Sequence, residues 1–177
     1  MTEEFQHETW DKEFAKQYKA MTREEKEAAF KDYLITRTFE GISKLSEETA
    51  ETVLKHTSQA CLKTALSQII HFGYDPDKGD IDAFNAAAQK MENMLGEGTA
   101  HITRRGNIVD YVTASGRCVC PFVKYYKVVK PFPNQCLCAK NLIKTMYEVA
   151  HKGLVKADVI EAYNRGGNCC HFRIELL

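Results

Sequence analysis

Long hydrophobic runs are missing from this chain: no stretch approaches the ~18 uninterrupted apolar residues that a membrane-spanning helix needs. An excess of positive charge is missing too. With 24 Lys+Arg against 24 Asp+Glu, there is no net attraction to phosphates, so nucleic acid is not an expected partner. The opening Met-Thr-Glu-Glu-Phe-Gln-His-Glu is acidic and has neither the basic segment nor the apolar run of a secretory signal. These absences predict a cytoplasmic protein without membrane association, and that expectation governs how the thiols are read. In a reducing compartment, conspicuous cysteine patterns point to metal or to chemistry before disulfides. The sequence also lacks a P-loop, a dinucleotide-binding glycine motif, a nucleophile elbow and an H-E-x-x-H helix, so nucleotide enzymes are not expected.

What is present is an ordinary globular composition, 177 residues and 44% hydrophobic, long enough to bury a real core without staples. The distribution is uneven. Residues 1–56 carry 13 acids and 9 bases, residues 118–177 carry 4 acids and 9 bases, and six of the seven cysteines follow residue 117. This shift divides the expected single α+β domain (1–177) into a helical part (1–96) and a cysteine-rich part (97–177).

The helical part shows helical spacing of Phe5, Trp10, Phe14, Tyr18 and Met21. A capping box, Thr22 with Glu25, opens a second helix that Gly41 is expected to break. Ser46 caps a third, with Val53, Ala60, Cys61, Ala65, Ile69 and Phe72 on one stripe and Gly73 at its end. After the turn at Tyr74-Asp75-Pro76-Asp77, a fourth helix begins near Ile81 with Phe84, Ala88, Met91 and Leu95 inward. From residue 98 the period changes. Segments 100–104 and 108–113 flank Arg105-Gly106-Asn107 as a hairpin with a three-residue loop. Segment 119–129 is ambiguous between states. A helix is predicted over residues 137–150, ended by Gly153, and two strands follow at 155–162 and 169–176. In the last strand Cys170, Phe172, Ile174 and Leu176 share one face, and Cys169, His171, Arg173 and Glu175 the other. The predicted architecture is therefore N-terminal helices packed on an antiparallel sheet with one intervening helix.

The chemistry-bearing pattern is Arg117-Cys118-Val119-Cys120-Pro121, Gln135-Cys136-Leu137-Cys138-Ala139 and Cys169-Cys170-His171-Phe172. If residues 118–120 are extended, Cys118 and Cys120 face one way. A helix start favours thiolates at Cys136 and Cys138. The terminal strand adds Cys170 from its apolar face or Cys169 from its polar face. Zinc takes four such ligands tetrahedrally, so Cys118, Cys120, Cys136, Cys138 and Cys170 are the candidate metal ligands and zinc the candidate cofactor. Core packing of small apolar thiols and reversible disulfide chemistry remain open beside it. Tyr125, Tyr126 and Tyr147 are candidate walls of a ligand pocket. His56 and His71 share a helical face, where ordinary packing is the preferred account; Arg104 and Arg105 are candidate anion contacts, with Arg105 at the start of a turn read as simply exposed.

These residues also carry a resemblance. Gly96-Glu97-Gly98, Cys118-x-Cys120-Pro121, Cys136-x-Cys138, Met146-Tyr147-Glu148, Gly153, Arg165-Gly166-Gly167 and Cys170-x-Phe172-x-Ile174-x-Leu176 resemble a family that includes L-2-amino-thiazoline-4-carboxylic acid hydrolases and methanogen output domains. The likeness extends distantly to the 4-vinyl reductase type of small-molecule-binding domain and covers roughly the last 80 residues. The resemblance implies helices against an antiparallel sheet, a small-molecule pocket and cysteines able to ligate metal. The expected function is binding of a small organic molecule at a cysteine-rich, zinc-containing site. The alternatives are hydrolysis of a small cyclic amidine or thiazoline, with Glu148, His151 or His171 as proton carriers, and a thiol redox sensor.

Overall fold

The computed structural model describes residues 12–95, 100–118, 120 and 132–177. The first helix, α1 (Lys12–Ala20), is followed by α2 (Arg23–Ser43), whose start is fixed as the sequence predicts: the Thr22 hydroxyl accepts from the Glu25 N–H, and the Glu25 carboxylate accepts from the Thr22 N–H at 2.7 Å. Gly41 does not break α2. A single helical glycine costs only about 1 kcal/mol, and burial of Phe39 and Ile42 on either side outweighs it. The helix α3 (Glu47–His71) is capped by Ser46 and ends before Gly73, whose φ of +103° suits a residue without Cβ. Its buried positions are Ala50, Leu54, Ser58 and Ile69, whereas Val53 is exposed. Hydropathy does not separate Val53 from Leu54; the side on which Phe39, Phe132 and Leu137 gather does. The helix α4 (Ile81–Leu95) begins where the Asp80 carboxylate accepts from the N–H groups of Asp82 and Ala83, at 2.8 and 3.2 Å.

The sheet is antiparallel throughout, in the order β1-β2-β4-β3, from β1 (Ala100–Arg105), β2 (Ile108–Thr113), β3 (Val155–Glu161) and β4 (Cys170–Leu176). Arg105 pairs directly with Ile108, so the first hairpin turns on two residues, not three. Gly106 at φ +63° takes the first of them, the place a type II′ turn reserves for glycine. Between β2 and β3 lies the intervening helix α5 (Cys136–His151), entered through a short 3₁₀ turn (Pro133–Gln135). Its end falls on Lys152 in the left-handed conformation, φ 55°, one residue before the expected Gly153. A second 3₁₀ turn (Tyr163–Arg165) precedes β4. The inner face of β4 alternates as predicted: Cys170, Phe172, Ile174 and Leu176 are buried. The α+β architecture, helices on one face of an antiparallel sheet, is thus the one the sequence predicts. No helix among the described residues is long and apolar enough to cross a membrane.

Two apolar clusters hold this arrangement. The larger fills the space between the sheet and helices α3, α4 and α5, with Ile69, Phe84, Met91, Val109, Tyr111, Ile143, Met146, Tyr147 and Ile174. The smaller, around Phe39, Leu54, Phe132, Leu137 and Cys138, seats α2 against α3 and the start of α5. The edge strand β1 is covered from α4: Asn93 accepts from the Ala100 N–H and Gln89 from the Ile102 N–H, both at 2.8 Å, which occupies donors that a second strand would otherwise find. Inside the larger cluster the Tyr147 hydroxyl donates to Asn85 Oδ1 at 2.6 Å, both residues being buried. Tyr147→Phe strands that acceptor in an apolar core. We expect a loss of about 1–3 kcal/mol, read as a lower urea midpoint at unchanged slope.

Candidate functional site: a thiol-walled cavity

Where the larger cluster meets the start of α5, the packing leaves a cavity of about 380 Å³, within the size range of small-ligand sites. Helix α3 supplies Cys61, Thr64, Ala65 and Gln68, and α5 supplies Cys136, Ala139, Leu142, Ile143 and Met146. The sheet closes it with Tyr111, Thr113, Cys170 and Phe172, α4 adds Met91 and Glu92, and the loops contribute Cys118, Cys120, Gln135 and Asn164. Four of the five sequence-predicted metal-site cysteines thus share one cavity wall, joined by Cys61.

The loop bearing Cys118 is tied down on both sides. The Gly116 N–H donates to the Tyr163 hydroxyl at 2.8 Å, and Ser115 Oγ donates to the Arg117 carbonyl at 2.8 Å. Buried Gln135 donates to Cys120 Sγ at 3.7 Å and accepts from Asn164 at 3.1 Å. Asn164 and Arg165, which reaches the Pro133 carbonyl at 3.1 Å, bind the second 3₁₀ turn to the first. Neither Cys118 nor Cys120 lies in a strand, since β2 ends at Thr113, yet both line the cavity because these hydrogen bonds fold the loop over it.

The thiols are not equivalent. Hydrogen bonds from the Cys170 thiol, the Cys120 N–H and Asn164 bring Cys118 down from 9.0 to about 7, against the opposing effect of burial. The same contact, together with burial, pushes Cys170 well up, so the pair holds a thiolate on Cys118 and a proton on Cys170. Burial and the neighbouring Cys118 raise Cys136 to about 11. Cys138 rises to about 12 through burial and the proximity of Cys120 and Cys61. The expected thiolate preference at the helix start is therefore reversed at both positions, because desolvation in the core exceeds the pull of the helix end. Residues two apart on a helix point in different directions: Cys136 faces the cavity, whereas Cys138 packs in the smaller cluster. Among the described residues no group of three or more His, Cys, Asp or Glu side chains is gathered closely enough to hold a metal ion.

The remaining candidates lie elsewhere. Tyr147 is wholly buried and does not line the cavity; its hydroxyl donates to Asn85. Tyr125 and Tyr126 fall outside the described residues. Glu148 pairs with Lys144 at 2.7 Å, and His151 stands 3.4 Å from the Leu177 carbonyl. On the outer face of the sheet, His171 and Arg173 both meet Asp110, at 2.8 and 3.0 Å, which lowers the Asp110 carboxyl below its usual range. Cys169 lies on that side too, donating to Glu161 and raised by burial. Of the other sequence candidates, Arg104 pairs with Asp82 and His71 contacts the Phe72 ring. Sequence reading missed Cys61, Gln135, Asn164 and the pair Glu92–Tyr111. A signal for Glu92 existed: it follows Ala88 by four residues, which puts a charge on the inward stripe of α4.

Against known proteins, no family model matches the chain and no curated protein matches it. Among solved structures it is similar to a trafficking protein particle complex subunit 3 from Naegleria fowleri, described as covalently bound to palmitic acid. The TM-score is 0.51 and the identity 12%, over 84% of this chain and 96% of the other. At that identity the likeness concerns the fold alone.

Proposed function

We propose that the protein is a small-molecule-binding domain whose ligand is an apolar organic molecule of the acyl-chain class, held in the thiol-walled cavity with Cys118 able to bond it covalently. The observation carrying this reading is the cavity itself, walled mainly by apolar side chains of α5 and the sheet and bordered by a thiol about half ionised at pH 7. The palmitic acid bound by the structurally similar trafficking subunit agrees with it in ligand class. From an acyl thioester, the Cys118 thiolate attacks the carbonyl carbon, the new S–C bond forms, and the original thiolate leaves with the bonding pair. No oxidant or metal is needed.

The test is incubation of the purified protein with a palmitoyl thioester, followed by intact mass. We expect one acyl group per chain, released by hydroxylamine, absent in Cys118→Ser and strongly reduced in Ala65→Phe, which fills the apolar end. A Cys118→Ser chain that acylates normally overturns the covalent part. A chain that takes up no apolar ligand, with or without a covalent bond, overturns the whole.

A second reading is supported by the Cys118–Cys170 contact: a reversible thiol pair that peroxide converts to a disulfide, with loss of two waters per peroxide and thiol pair. Zinc is the third: Cys118, Cys136 and Cys170 share the cavity wall but do not stand close enough together to hold an ion, so this reading requires them to draw together around it. One zinc per chain on elemental analysis, with those thiols protected from alkylation, would favour it over acylation.

A further inference from the structure

The cavity has a second polar feature, set apart from the thiols along β2. Glu92 on α4 reaches the lining, where its Oε1 accepts from the Tyr111 hydroxyl at 2.7 Å. No Lys, Arg or His among the described residues pairs with it. Met91, Met146 and Phe172, which line the same cavity, are apolar. Burial raises its carboxyl above the usual range, opposed by the single Tyr111 hydrogen bond. Tyr111 itself is driven up by burial and by that carboxyl, so its hydroxyl stays a donor. A carboxyl in such a place is costly unless something compensates it, and one phenol supplies only part of the capacity of its two oxygens.

Position along the sheet locates this group relative to the thiols. Tyr111 and Thr113 share the inner face of β2, and Thr113 stands opposite Cys170, which contacts Cys118. Two residues of strand put the Glu92–Tyr111 end roughly 7 Å from the thiol end. Resting on the proposed binding of an acyl-chain ligand in this cavity, we infer that Glu92 is a recognition site for an amino group carried by that ligand: a basic amine on the apolar chain pairs with the carboxylate, and free carboxylic acids are discriminated against. An ammonium gives Glu92 the charge-assisted partner the protein withholds; a ligand carboxylate sets like charges against each other in a poorly hydrated space. A neutral amine entering a protonated site reaches the same pair by taking the proton from the Glu92 carboxyl.

Octylamine, octanol and octanoate share one chain and differ at the head, so calorimetric titration of the intact protein with each isolates the head group. We expect octylamine to bind about tenfold more tightly than octanol, a difference on the scale of one charge-assisted contact, and octanoate to bind weakest. Glu92→Gln keeps the size of the side chain and its contact with Tyr111. It should bring the three affinities together, with octanoate improved. Tyr111→Phe keeps the carboxyl and should keep the preference for the amine, which separates charge from packing. Equal binding of the three probes to the wild type, or an amine preference that survives in Glu92→Gln, overturns the inference and leaves the cavity reading intact. Failure of all three to bind overturns both.

Discussion

Maleimide will label Cys118 first in the native protein, with a rate that rises to half its plateau near pH 7, where an ordinary thiol would do so near pH 9. The two values are the Cys118 and unperturbed ones. At pH 7 about half of Cys118 is thiolate, against about one part in a hundred for an unshifted thiol, roughly a fiftyfold larger reactive fraction. Intrinsic nucleophilicity falls with pKa, by about eightfold for two units at a Brønsted slope near 0.45. The net advantage is therefore about fivefold to tenfold at neutral pH; it vanishes near about pH 8, above which an unshifted thiol reacts faster. Cys118→Ser should abolish the fast phase and leave only slow labelling. Cys170→Ala removes the leading hydrogen bond to the thiolate and should move the midpoint upward. Cys136 and Cys138, at about 11 and 12, should resist until the chain unfolds. Peptide mapping at several pH values reads all of these, and a fast phase that maps to any other cysteine would contradict the assignment.

Phe84→Ala should be the most damaging single substitution for stability. The ring is wholly buried and stands edge-on to Tyr74 and Tyr147, with centroids 5.1 and 5.0 Å away. It joins the start of α4 to α5. Truncation leaves a void that both tyrosines border, at a cost of about 3–5 kcal/mol, a large share of the roughly 5–15 kcal/mol of an ordinary domain. Phe84→Leu retains most of the volume and loses only the ring geometry, so it should cost clearly less. Urea unfolding followed by far-UV circular dichroism gives both midpoints. Equal losses for the two variants would show that ring orientation, not volume, dominates at this site.

Local signals reached far into this fold, and their failures have physical causes. The capping box at Thr22, the Ser46 cap and the period of two in β4 were legible because each depends on neighbours within four residues. The end of α2, the inward side of α3 and the turn of α5 at Lys152 were not. They are decided by what packs against each helix, and a Gly41 or a Gly153 in the sequence states only what is permitted there. The site divides the same way. Clustering marked Cys118, Cys120, Cys136 and Cys170, but only the topology brings Cys61 from α3 to join them and turns Cys138 away. Which thiol ionises depends on Cys170 and Asn164, dozens of residues further along the chain. No spacing rule carries that information.

The place of β4 between β2 and β3 has a consequence for how the molecule assembles. The β1–β2 hairpin is a local structure that can close in about 1–10 μs, but its inner face then has no partner. Pairs such as Thr113 with Cys170 join residues separated by all of α5 and β3, so they must await a long loop closure. Until β4 inserts, β2 and β3 each present an open edge, and the thiols of the future cavity wall are exposed. Refolding should accordingly be slow at the sheet and sensitive to protein concentration and to oxidants during that interval, while the finished domain keeps both edges of β4 covered.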